Sequence, residues 1–180
     1  MVRHLLLVTR CQQIQQFVII KDLKVPLSPE YIAGFFDGEG CVNITVAGKS
    51  KQATLRIMIA NTHKEILEAI QRQFSGHIYR TRASINNPKW KESWQLVLLH
   101  QKATDFLEAI EPYIIVKASQ VKLGLDFQKF MKSSGRLEGF TNSYGSISHR
   151  RTAETLATEL QYKIAMNTFN KRGSVSQLMN

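Results

Sequence analysis

The chain has 180 residues, enough for one domain with a proper hydrophobic core. Its 24 Lys and Arg against 14 Asp and Glu leave a formal charge of +10, an excess that favours a polyanionic partner. Its two cysteines, Cys11 and Cys41, form no CxxC pair, which argues against a disulfide framework or zinc site and fits a reducing compartment.

Residues 1–26 carry two short apolar patches, Leu5–Val8 and Phe17–Ile20, separated by glutamines, and these make no signal-peptide core. Arg3 and Arg10 suit an organellar transit segment, but the serines of such segments are missing. Residues 1–26 are therefore read as an N-terminal extension of unknown role, and 27–180 as the domain. No apolar run in the chain approaches the ~20 residues of a membrane span, so no membrane partner is expected.

The domain opens on a stretch with a start and a stop, Leu27–Gly40. Ser28 can accept from the free amides of a first helical turn, and Pro29 suits the first helical position. Gly38 and Gly40 permit backbone angles that end a helix and lead into a strand. Gly34 and Gly38 are four apart and, with Ala33, leave one side of the helix almost bare. A mid-helix glycine costs ~1 kcal/mol against alanine, so the bare stripe points to close approach of another backbone. Asp37 and Glu39 crowd the negative end of the helix, where the dipole disfavours carboxylates and a bound cation offsets them. Two such helices side by side would place a carboxylate from each at a shared metal-binding floor.

Beyond the glycines, Cys41–Val46 alternates, with Val42, Ile44 and Val46 on one face. Gly48–Lys51 is a turn with two cations, and Thr54–Ala60 returns with Leu55, Ile57 and Ile59 inward and Arg56 outward. Thr62 and Glu65 form a capping box before Ile66, Leu67, Ile70 and Phe74 at helical spacing, and Gly76 ends that helix. His77–Ala83 is an extended run that places Arg80 and Arg82 on one face, and Ser93–Leu99 is its return strand. Helices follow from about Lys102 to Ile110, broken at Pro112, from about Lys117 to Lys132, and from about Thr152 to Phe169. Residues 133–149 have the composition of a loop. The order predicts an α+β domain with helices on one face of an antiparallel sheet.

The free face of that sheet is expected to carry Asn43, Thr45, Arg56, Arg80, Arg82, Ser93 and Gln95. Arginine pairs bidentately with guanine in the major groove, and Asn or Gln with adenine. The same composition also suits an ordinary solvated face.

Ile32-Ala33-Gly34-Phe35-Phe36-Asp37-Gly38-Glu39-Gly40, present in one copy, resembles the LAGLIDADG motif of homing endonucleases. The resemblance extends from about Pro29 to Ile115 and the helix beyond. It implies an αββαββα core with a DNA-binding sheet saddle and additional C-terminal helices. It implies a homodimer through Ala33, Gly34, Phe35, Asp37 and Gly38, and double-stranded DNA as the partner. Glu39 is then the metal ligand, helped by the Gly38 carbonyl, with Mg²⁺ as cofactor and Mn²⁺ or Ca²⁺ as substitutes. Asp37 takes a capping role. Asn61 is the amide at the end of the second strand that holds metal-bound water, and Lys117 is the basic residue near the scissile phosphate. Lys49 and Lys51 join the free-face residues as DNA contacts. The short turn at 48–52, and Glu39 where many relatives have Asp, depart from better-known members. The implied activity is a staggered double-strand cut in a long, near-palindromic site. The competing expectation is a non-cleaving binder on the same scaffold, either a maturase with intron RNA as partner or a DNA-binding regulator. The compartment expected is prokaryotic cytoplasm or an organelle.

Other nuclease patterns do not fit. His4, His63, His77, His100 and His149 lack paired metal spacing, Gly76–Tyr79 is followed by no Tyr-Ile-Gly, and Asp22-Leu23-Lys24 lacks an upstream acid.

Overall fold

The computed structural model describes residues 26–46, 53–86, 89–134, 140–141, 147–148 and 151–171. Helix α1 (Pro29–Glu39) starts where expected, with Ser28 Oγ accepting from the Tyr31 amide at 3.3 Å and Pro29 in the first position. It runs straight through Gly38, and Gly40 is extended at φ −88°. The positive-φ stop expected of these glycines is therefore absent. Gly40 is small for another reason: the Phe36 ring lies where a Cβ would stand.

Strands β1 (Gly40–Val46) and β2 (Ala53–Asn61) pair antiparallel, with Val42 opposite Ile57 and Asn43 opposite Arg56. Helix α2 (Lys64–Phe74) has His63 as its cap residue and no side-chain cap bond. The expected Thr62–Glu65 capping box does not form. The Asn61 side chain instead folds back onto the chain two residues on, Oδ1 accepting from the His63 amide at 2.9 Å.

Strand β3 (His77–Arg80) is shorter than the expected run to Ala83. Thr81 turns off it, its amide donating to the Ser93 carbonyl at 2.8 Å, and a short helix α3 (Arg82–Asn86) follows. Strand β4 (Trp94–Leu99) pairs with both β2 and β3, giving the order β1-β2-β4-β3. Helix α4 (His100–Ile110) begins two residues before the expected start, on His100 at φ 52°. A 3₁₀ turn at Glu111–Tyr113 accommodates Pro112 and leads to α5 (Ala118–Ser133). Within the segment read as loop, β5 (Phe140–Thr141) pairs with β6 (Ile147–Ser148). Helix α6 (Ala153–Asn170) is capped by Thr152, whose Oγ1 accepts from the Thr155 amide at 3.0 Å.

The architecture is the expected α+β one, an antiparallel sheet with helices on one face. Alternate residues of β1, β2 and β4 (Val42, Ile44, Leu55, Ile57, Ile59, Leu96, Leu98) enter one core with Ile32, Phe36, Leu67, Phe106 and Leu107. Phe106 sits edge-on to both Phe36 and Phe74, at centroid distances of 5.2 and 5.1 Å. Helix α6 packs against β1, the sheet's edge strand, and against β2 and α5. There the buried Glu159 pairs with Arg151 and accepts from the Ala53 amide at 2.6 Å. Among the described residues no helix is long and apolar enough to cross a membrane.

Candidate active site and nucleic-acid interface

The C-terminal end of α1 is fastened to the start of α5 by one carboxylate. Asp37 Oδ2 accepts from the amides of Ile115 at 2.8 Å and Val116 at 3.0 Å, and Oδ1 from that of Lys117 at 2.9 Å. Partial burial works to raise the Asp37 pKa. The Val116, Ile115 and Lys117 amides and the Lys117 charge outweigh it, and the carboxyl is held below the usual aspartate range. Asp37 thus does the capping expected of it, and the chain turn it caps carries Lys117.

The Lys117 ammonium returns to donate to the Asp37 backbone carbonyl. That places it over the last turn of α1, two residues before Glu39. It also lies near β1: burial pushes the Cys41 thiol pKa up, while the Asn43 contact and the Lys117 charge pull the other way. Glu39, the last residue of α1, is exposed. Asn61 closes β2 at the same end of the hairpin, because Gly40 pairs with Ile59. The fold therefore gathers Glu39, Lys117 and Asn61 at one end of the sheet.

Glu39 and the Gly38 carbonyl are hard oxygen donors at a helix C-terminus, a donor set that fits a cation such as Mg²⁺. Among the described residues no group of three His, Cys, Asp or Glu could enclose a metal within one chain. A cation here needs further oxygens from a second chain, phosphate or water.

The stripe on α1 is open. A Cβ added at Gly34 or Gly38 would meet nothing within 4 Å. Ala33, read from spacing as part of that stripe, is fully buried, since it shares the core side with Ile32 and Phe36. Asp37 likewise turns to the chain's own amides, and Phe35 is half-buried, stacked on Tyr31. Around the stripe stand exposed apolar side chains: Tyr31 at 53%, Ile115 at 83% and Val116 at 74%.

On the sheet, pairing sorts the expected DNA contacts. Asn43, Thr45, Arg56 and Gln95 alternate with buried residues and lie on the free face. Arg56 Nε is buried and has no partner among the described residues. Ser93 sits just before β4, its hydroxyl 2.5 Å from that of Thr81. Arg80 and Arg82 do not share that face. Arg80 pairs with Trp94 and so has the parity of inward-facing Ile78, and its guanidinium meets Glu92 at 2.8 Å. Arg82 belongs to α3, because the strand has already ended. The β3 residues on the free face are His77 and Tyr79, their rings 6.2 Å apart. Sequence reasoning passed over them, although their alternation with Ile78 carried the signal. Lys49 and Lys51 lie outside the described residues.

A family model described as LAGLIDADG endonuclease matches residues 32–132, more than half of the chain. The chain belongs to the LAGLIDADG endonuclease family. Among solved structures it resembles the homing endonuclease I-CvuI in complex with DNA, at 18% identity and a TM-score of 0.59, over 78% of this chain and 80% of that one. It also resembles the archaeal intron-encoded homing endonuclease I-Vdi141I complexed with DNA, at 17% identity and a TM-score of 0.61, over 81% and 85%. At these identities the likeness is one of fold. A reverse gyrase of Methanocaldococcus jannaschii is 28% identical over 88 residues, which are 48% of this chain. The chain spans only 5% of the length of that curated relative.

Proposed function

We propose that this family member is a homodimeric, site-specific endonuclease that makes a staggered double-strand cut in a long, near-palindromic DNA site with the help of Mg²⁺. The observation that carries the reading is the gathering of Glu39 and Lys117 at the end of a helix whose glycine stripe stands open to a second copy. Two chains meeting along Gly34 and Gly38 would bring two Glu39 carboxylates together at the centre of two reading faces. The exposed Tyr31, Ile115 and Val116 would be covered by the same contact. The related I-CvuI complexes were obtained in the presence of Mg in one case and Ca in another, which supports divalent metal use here.

Each residue then has a task. Glu39 and the Gly38 carbonyl would hold the cation, which would supply polarisation of phosphate and water. Asn61, its Oδ1 engaged by the His63 amide, offers its amide N–H groups to position the attacking water. Lys117 places a positive charge where negative charge develops on the phosphate oxygens. Asp37 sets the position of Lys117 through three amides and takes no part in the chemistry.

The test is selection of a target from a randomised pseudo-palindromic library, followed by plasmid cleavage with Mg²⁺. Wild-type protein should linearise its target. Glu39→Gln should bind it as well or better, having lost a negative charge near DNA, and cut neither strand. Tight binding by the wild type without cutting would replace this reading with that of a non-cleaving binder, a regulator or a maturase acting on intron RNA. Light scattering that finds a monomer on and off DNA would remove the dimer.

A further inference from the structure

One side chain on the free face is held by a chain of hydrogen bonds whose first member cannot turn round. The Val42 carbonyl belongs to the edge strand β1 and can only accept. Asn170, the last residue of α6, donates to it through Nδ2 at 2.8 Å, which fixes which end of the Asn170 amide points at the strand. The same Nδ2 donates to Asn43 Oδ1 at 3.1 Å. Asn43 is thereby fixed in turn, and its own Nδ2 donates to Cys41 Sγ at 3.2 Å. An amide oxygen has two lone pairs and an amide nitrogen two hydrogens. Asn43 keeps one of each, at opposite ends of its amide, on the face where Arg56 is its cross-strand neighbour. One donor beside one acceptor is the pair that a bidentate contact to adenine N7 and N6 consumes. Turning the amide would set Asn43 Nδ2 against Asn170 Nδ2, two donors facing each other.

We infer that Asn170 is a specificity-positioning residue: it locks the Asn43 amide in the orientation that reads adenine at one position of each half-site. Helix α6, which packs on the β1–β2 edge of the sheet, thus sets part of the sequence preference. The inference rests on the endonuclease reading above, and the experiment separates the two.

Binding of wild type, Asn43→Ala, Asn170→Ala and the double variant is profiled against every single-base change of the selected site, with thermal unfolding of each protein. Asn43→Ala should lose about tenfold in discrimination at one symmetry-related pair of positions, the scale of one bidentate contact. Asn170→Ala should lose discrimination at that same pair, and the double variant should be no worse there than Asn43→Ala alone. Losses that are even across the site, or that add in the double variant, would make Asn170 a merely structural clamp and overturn the inference while leaving the endonuclease reading intact. A wild type that selects no site removes both. Should Asn170→Ala fail to fold, Asn170→Gln keeps the donor amide but moves it by one methylene. It must alter preference at the Asn43 position; if it alters another position or none, the inference fails.

Discussion

The proposed cleavage end and the proposed reading face of this molecule are held together by different kinds of partner. At the end of α1 every expected catalytic or supporting polar side chain with a bond is tied to main chain: Asp37 to three amides, Lys117 to a carbonyl, Asn61 to the His63 amide. On and beside the sheet, apart from Thr45, whose hydroxyl donates to the Thr54 carbonyl at 3.4 Å, most partners are other side chains. Arg80 pairs with Glu92, both about half exposed, His77 lies against Tyr79, and Arg56 Nε has no partner among the described residues. An exposed ion pair is worth only ~0.2–1 kcal/mol, so Arg80 can exchange Glu92 for another anion at little cost. Main-chain partners cannot swing away. Chemistry at a phosphate tolerates little displacement of the acting groups, whereas a face that meets many base edges benefits from side chains that can re-pair. Asn43 stands between the two cases, since Asn170 ties it back to a main-chain carbonyl.

The comparison breaks most visibly at Lys117. Lys117→Met should slow cleavage by about 10²–10³-fold, the usual scale for losing a preset charge-stabilising donor, and leave DNA affinity nearly unchanged. Single-turnover cleavage and equilibrium binding on the same duplex measure the two quantities. Equal losses in both would make Lys117 a reading-face residue in all but location. A smaller effect separates Arg56 from Arg80. Arg56→Ala should cost ~1–3 kcal/mol at one base position per half-site, because Arg56 stands on the free face. Arg80→Ala should weaken all sites evenly and reduce the salt dependence of binding, as loss of a phosphate contact does. The reverse pattern would show that β3 turns its other side to the DNA.

The smallest effect concerns stability. Asp37→Asn should cost about 1 kcal/mol at neutral pH, the scale of a lost helix cap. The folded Asp37 pKa is depressed, so its contribution is fully present above the unfolded value near pH 4 and is lost as pH falls through the lower folded value. The stability gap between wild type and Asp37→Asn, read from urea unfolding, should therefore be constant from pH 7 to about 5 and shrink below about pH 4. A gap that widens in acid would mean that the three amides do not hold a carboxylate.

Period-2 and period-3.6 patterns made the elements legible, because burial of one face dictates both spacing and order. Val42, Ile44, Leu55, Ile57 and Ile59 all point where alternation puts them. What spacing did not carry was where a pattern stops. The run from His77 to Ala83 continues to look extended, but after one more rung, Thr81 N–H to the Ser93 carbonyl, the Thr81 carbonyl accepts from the Ile85 amide and the chain turns into α3. That shift moved Arg82 into a helix and left the face to Tyr79. The α1 stripe was legible through Gly34 and Gly38, while Ala33 was misplaced because a small residue fits a crowded core as readily as an open surface. The Lys117 assignment came from the family pattern alone. In the sequence it is one lysine among many, and only the fold shows it returning to α1.

Gly40 deserves a different description from that of a flexible joint. The ring of Phe36 rests on it, Phe106 meets Phe36 edge-on, and Phe74 meets Phe106 in the same way. A continuous line of aromatic edges thus runs from the end of α2, through α4, to the residue next to Glu39. Such contacts are stiff, because close-packed interiors pass on displacement and do not absorb it. On that ground the interior is expected to act as a lever as well as a filling. A substitution at Phe74 or Phe106 that leaves the protein folded is therefore expected to change the rate of the proposed cleavage, measured on the selected target.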